Sequence, residues 1–115
     1  MGEYQIDMGQ REIFEEETTK SPRISIVIPF YWMKNWQFFL IRCLESIEKQ
    51  VTLSEYEVIL TKAGSMPANT NRAIQCAKGE IVKILYMDDW LDSVYYMASV
   101  EKAFLNPEVE WLITP

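Results

Sequence analysis

Residues 24–30 read Ile24-Ser25-Ile26-Val27-Ile28-Pro29-Phe30, a short, nearly continuous apolar run rich in β-branched side chains. Such a run fits a strand covered on both faces, the environment of a parallel sheet with helices above and below it. Pro29 has no backbone N–H and is expected to end the ladder. Downstream, Trp36, Phe39, Leu40, Cys43, Leu44, Ile47 and Val51 recur at the three-and-four spacing of an amphipathic helix, predicted over about 36–50. Asn35 stands before it as a plausible N-cap.

The same alternation continues. Tyr56–Thr61 (Y-E-V-I-L-T) is a second strand, broken by Ala63-Gly64-Ser65. A helix follows from Pro67 to Lys78, with Pro67 in its first turn and Gly79 as its stop. Ile81–Tyr86 is a third strand. Asp92 or Ser93 caps a helix over about 93–105, which Asn106-Pro107 ends. Val109–Thr114 is a fourth strand. The order β-α-β-α-β-α-β predicts an α/β three-layer sandwich with a mostly parallel sheet. Ligands of open α/β sheets bind beyond the carboxyl ends of the strands. Pro29-Phe30-Tyr31, Lys62–Ser65 and Tyr86–Asp89 are therefore expected to face one crevice.

Charge and composition narrow the function classes. The chain has 115 residues, a net charge of −6 and no histidine. A basic face for nucleic acid is not expected, and every mechanism that needs an imidazole is excluded. Six acids against two bases fall within residues 1–20. Residues 1–22 read as an acidic, weakly ordered arm or, alternatively, a partner-docking segment. Residues 23–115 read as the folded domain. Cys43 and Cys76 lack the spacing of a disulfide framework or a zinc site and read as small buried hydrophobes. No apolar leader opens the chain, and no window approaches the ~18–20 apolar residues of a membrane span. A reducing, cytoplasmic location is expected, with no membrane span.

Asp88-Asp89 is the sharpest chemical feature. Two adjacent carboxylates just past a buried strand repel each other, and a divalent cation relieves that repulsion. Hard oxygen ligands suit Mg²⁺ or Mn²⁺, which commonly hold a substrate's phosphates as well. The plainer reading makes one Asp a helix cap and leaves the other solvated. Tyr86-Met87-Asp88-Asp89 also spells a short polymerase motif. That motif sits in a strand hairpin, whereas Trp90 to Leu105 here reads as helical.

The ordered set is more specific than any piece of it. I-S-I-V-I-P-F-Y, then R-C-L-E-S-I-E-K-Q, then Y-E-V-I-L with A-G-S, then N-R-A-I-Q-C-A-K-G-E-I-V, then I-L-Y-M-D-D-W-L, resembles the family 2 glycosyltransferases over residues 23–114. The resemblance implies the Rossmann-like GT-A fold and a nucleotide-diphosphate sugar as donor. It implies that Pro29, Phe30 and Tyr31 line the nucleotide site with Gly64, Asn71 and Tyr86. It implies that Asp88 holds the Mg²⁺ or Mn²⁺, with Asp89 as a second ligand or a supporting partner. The chain departs from the family pattern at three places. Lys62-Ala63 stands where the family carries an acidic pair, Trp32 where it carries Asn, and Tyr86 where it carries the first Asp of Asp-x-Asp.

The implied reaction is glycosyl transfer. The general base of the family lies beyond the stretch matched here, so the domain is expected to be the donor-binding half of a longer fold, with an unfinished sheet. Two alternatives stand beside it: a non-catalytic binding module on the same fold, and a metal-dependent nucleotidyl-transfer fragment. An exposed sheet edge left by missing elements is expected to promote self-association.

Overall fold

The computed structural model describes residues 3–7, 22–62 and 64–110. They form strands β1 (Glu3–Asp7), β2 (Ile24–Pro29), β3 (Tyr56–Thr61) and β4 (Ile81–Ile84), and helices α1 (Trp36–Glu48), α2 (Met66–Cys76) and α3 (Tyr96–Ala103). The strands make one parallel sheet in the order β1-β3-β2-β4. No helix among the described residues is long and apolar enough to cross a membrane.

Strand alternation sorts the core into two layers. Ile24, Ile26 and Ile28 of β2, with Tyr56 and Val58 of β3, pack on one face against Cys43 and Ile47 of α1 and Met97 of α3. Val27 and Ile59 face the other way, onto Ala73 of α2. All six residues of β2 are buried, as a strand covered on both faces requires. Burying each large aliphatic side chain contributes roughly 1.5–3 kcal/mol.

A polar knot ties the end of α2 to the sheet. The Gly79 N–H donates to Ser25 Oγ (2.7 Å), Ser25 Oγ donates to the Glu57 carboxylate, and the Lys78 N–H donates to the same carboxylate oxygen (2.7 Å). Ser25 and Glu57 are both buried. A Cβ on Gly79 would meet Ser25 Oγ at 2.7 Å and the Ser25 nitrogen at 2.8 Å. Gly79 thus supplies close approach rather than a helix stop: α2 ends earlier, with Ala77 as an extended C-cap.

Several expectations are corrected. Part of the predicted acidic arm is structural, because Glu3–Asp7 pairs in parallel with β3 and forms one edge of the sheet. A strand of five residues beside a formed neighbour gains a full ladder, which composition alone does not register. Residues 8–21 lie outside the described residues, and so do Ala63 and 111–115, which carry most of the predicted strand Val109–Thr114. Asn35 does precede α1, but in the left-handed region (φ 61°) with no side-chain cap bond. Its short polar side chain tolerates that backbone, and the αL residue turns the chain into the helix. The last helix starts at Tyr96, and neither Asp92 nor Ser93 is its N-cap. The Gln50 side chain, reaching over from beyond α1, accepts the Met97 N–H at 2.9 Å instead.

Pro29 ends only one of the two ladders. Odd residues of β2 pair toward β4, through Ile81 N–H to the Arg23 carbonyl and Leu85 N–H to the Val27 carbonyl. The register with β4 stops at Val27–Ile84, while that with β3 runs on to Pro29–Thr61 and the Phe30 N–H still donates to the Thr61 carbonyl (2.7 Å). The donor that proline lacks therefore belongs to the β4 side. Beyond that point the β2–β4 ladder ends and the chain enters the Tyr86–Asp89 turn.

Replacing Gly79 with Ala forces apart the α2–sheet knot and is expected to cost about 1–3 kcal/mol. A urea titration should show a lower midpoint with an unchanged slope; a wild-type midpoint would refute the close-approach role.

Candidate functional site

The chain leaves β2 toward α1 on one face of the sheet and leaves β3 toward α2 on the other. Where two adjacent strands send their loops to opposite faces, a crevice opens at their carboxyl ends. A cavity of about 370 Å³ lies there, lined by Phe30, Tyr31 and Trp32 after β2, Lys62 and Gly64 after β3, and Met66 and Asn69 from α2. Phe30, Trp32 and Trp36 pack edge to face, with centroids 5.1–5.4 Å apart. The Lys62 ammonium lies 4.6 Å from the centre of the Trp32 ring. Lys62 is thus part of an aromatic wall and not merely a solvated strand-end charge.

α2 starts cleanly. Ser65 is its N-cap and accepts the Ala68 N–H, and Pro67 sits in the first turn, where its missing N–H costs nothing. Gly64 precedes it with φ +49°, a backbone that favours glycine. Asn69 is buried, 3% exposed, and its Nδ2 donates to the Phe30 carbonyl at 2.8 Å. Its Oδ1 has no partner among the described residues. An unmatched buried acceptor costs about 1–3 kcal/mol.

The acidic turn stands beside this cavity. Met87 is fully buried and anchors it, and the Tyr31 N–H contacts the Met87 sulfur at 3.4 Å. The Asp89 N–H closes the turn on the Tyr86 carbonyl (2.9 Å). The Tyr31 phenol lies within the field of the Asp88 and Asp89 carboxylates. Desolvation of the phenol, then the charge of Asp88, then Asp89, raise the Tyr31 pKa above its ordinary value. Burial, followed by the charge of Asp89, pushes the Cys43 thiol up to about 12 against the opposing pull of Arg42.

The structure brings together Phe30, Tyr31 and Gly64 around the cavity, with the acidic turn meeting Tyr31 at Met87. It leaves out three nominated residues. Pro29 is buried behind the cavity, in the sheet. Tyr86 points outward, 38% exposed. Asn71 is exposed on α2, two residues past Asn69 and so roughly 200° around the helix at 3.6 residues per turn. Asn69 is the residue that sequence reading missed. The signal was present: it lies on one stripe with Ala73 and Cys76, a polar side chain on the apolar face of a helix.

Asp89 faces a second, larger groove of about 620 Å³ between β4 and α3, which Leu85, Trp90, Asp92, Tyr96 and Ser99 also line. The smaller cavity is the better candidate site, because it lies at the carboxyl ends of β2 and β3, is walled by aromatic rings with Lys62, and includes Tyr31, whose N–H meets the acidic turn at Met87. Among the described residues no three acidic or cysteine side chains gather as a ready metal cage. A Mg²⁺-type ion takes one or two carboxylates and completes its shell with substrate phosphates and water; Asp88 and Asp89 are the adjacent carboxylates that could supply them.

No family model matches the chain, and no curated protein and no solved structure matches it.

The raised pKa of Tyr31, from burial and then the charge of Asp88, sets a pH dependence. A phenol whose folded pKa is raised contributes stability that is complete below about pH 10 and is lost as pH climbs through the folded value. NMR of labelled tyrosine should show one ring titrating late. The Tyr31→Phe variant should lose that resonance, and Asp88→Asn should move it back toward pH 10; a late ring that ignores Asp88→Asn would refute the influence of that charge. The Cys43 thiol should resist iodoacetamide at pH 8 until the chain is unfolded, which mass spectrometry of the alkylated protein would read directly.

Proposed function

We propose that this domain binds a nucleoside diphosphate, in the form of a nucleotide-diphosphate sugar, together with Mg²⁺ or Mn²⁺, and that it serves glycosyl transfer on a Rossmann-like fold of the GT-A kind. The carrying observation is the joint of the two half-sites: Tyr31, from the loop that walls the cavity, sets its backbone N–H on the sulfur of Met87 in the acidic turn at 3.4 Å. A ligand with a flat ring at one end and a diphosphate at the other matches that arrangement. Phe30 and Trp32 offer ring surface for a base. Met66 and Asn69 of α2 line the same cavity. Lys62 brings donors to the rim of the same cavity.

Asp88 and Asp89 would hold the cation. Bound there, it would act as a Lewis acid that neutralises charge on the departing diphosphate. The chain after Asp89 leads through residues 90–95 into helix α3 rather than back along a hairpin strand. That favours the transferase reading over a polymerase-type fragment. Lys62 and Tyr86, at positions where the resembled family carries acids, favour a second reading in which the chain binds the donor without turning it over.

A thermal-shift panel of uridine, guanosine, adenosine, cytidine and thymidine diphosphates, each with and without Mn²⁺, tests this. At a free ligand concentration of a hundred times Kd the native state gains about 2.7 kcal/mol. One nucleotide should raise Tm in a Mn²⁺-dependent way, and Asp88→Asn should abolish the metal-dependent part. No shift with any member of the panel would overturn the proposal. Binding without release of sugar from the matching nucleotide sugar would select the second reading.

A further inference from the structure

Arg42 lies on α1 beneath the acidic turn. Its Nη2 donates to the Asp88 backbone carbonyl at 2.9 Å. The guanidinium stacks 3.8 Å from the centre of the Trp90 ring, with the Phe39 and Phe38 rings at 5.3 and 5.6 Å. Its Nε is buried and has no acceptor among the described residues. For stability alone this is a poor use of the position. A buried unmatched donor on a charged group is costly, and an apolar side chain of similar length packs among aromatic rings without that penalty.

The contact that does exist falls on the residue that matters. Arg42 takes the Asp88 carbonyl, and the residue before it, Met87, receives the Tyr31 N–H on its sulfur at 3.4 Å. Trp90, one residue past Asp89, is fixed by the same guanidinium. The turn carrying both carboxylates is therefore clamped before and after Asp89 by one side chain. We infer that Arg42 is the positioning residue of the acidic turn, fixing its backbone so that Asp88 and Asp89 present their carboxylates together to a divalent cation. This rests on the metal reading above. Groups that orient metal ligands from behind typically cost 10–100-fold in metal affinity when removed.

The test separates a positioning role from a packing role because the two predict opposite stability effects. Wild type, Arg42→Met and Arg42→Lys are compared as full chains, by circular-dichroism melting and by the electron paramagnetic resonance of free Mn²⁺, with Mn²⁺ alone as the probe. Arg42→Met should melt at or above the wild-type temperature and yet bind Mn²⁺ about tenfold more weakly. Arg42→Lys keeps the charge but loses the planar fork and the flat stack, so its affinity should fall between the two. If Arg42→Met does not fold, the Mn²⁺ affinity of Arg42→Lys decides alone. Wild-type affinity in the folded variants overturns the positioning role and leaves the metal reading standing. Weaker binding that only tracks a lower Tm overturns it as well. A wild-type chain that takes up no Mn²⁺ overturns the metal reading, and this inference falls with it.

Discussion

Everything in this domain hangs on the burial of β2. Its six residues are sealed between two helical layers, and both β3 and β4 pair with it. A strand in that position must satisfy every backbone group through its neighbours, because water reaches neither face. Pro29 is the single residue that cannot comply. Its missing donor falls on the β4 side, and the sheet yields there while the β3 ladder continues. The end of the β2–β4 ladder thus follows from hydrogen-bond accounting on one strand.

The candidate site inherits its rigidity from the same core. Met87, fully buried, ties the turn to the α1 layer, and Arg42 and Tyr31 reach it from α1 and from the loop after β2. The exposed ends of the two acids are therefore carried on backbone that packing has already fixed. Asn69 does the equivalent service on the other side, holding the Phe30 carbonyl and so the start of the aromatic loop. The α1 layer packs both the acidic turn and the aromatic loop after β2, and Asn69 of α2 ties that loop from the other side.

Much of this was legible in residue order. Periodicity gave β2, α1, β3, α2 and β4 close to their observed bounds, because long stretches of one spacing are hard to satisfy in any other way. The errors fell where local rules compete. Gly79 has the look of a helix terminator, yet its role is to let Ser25 approach. Asn35 has the look of a cap, yet its side chain caps nothing. Glu3–Asp7 has the composition of a solvated arm, yet it forms a strand because β3 offers an open edge. Motif order points to Asn71, which is exposed on α2, while Asn69 lies on the buried stripe of that helix.

The sequence by itself determined the alternating α/β pattern, the burial of β2, the acidic pair after the third predicted strand and the want of any imidazole chemistry. These follow from spacing and residue type, which are local properties. Only the tertiary structure decided that β1 joins the sheet, that Tyr31 meets the acidic turn at Met87, and that Arg42 grips the turn from a helix 46 residues earlier. Those pairings depend on strand order and on which layer each helix joins, and no local spacing encodes the distance between two loops that the fold brings together.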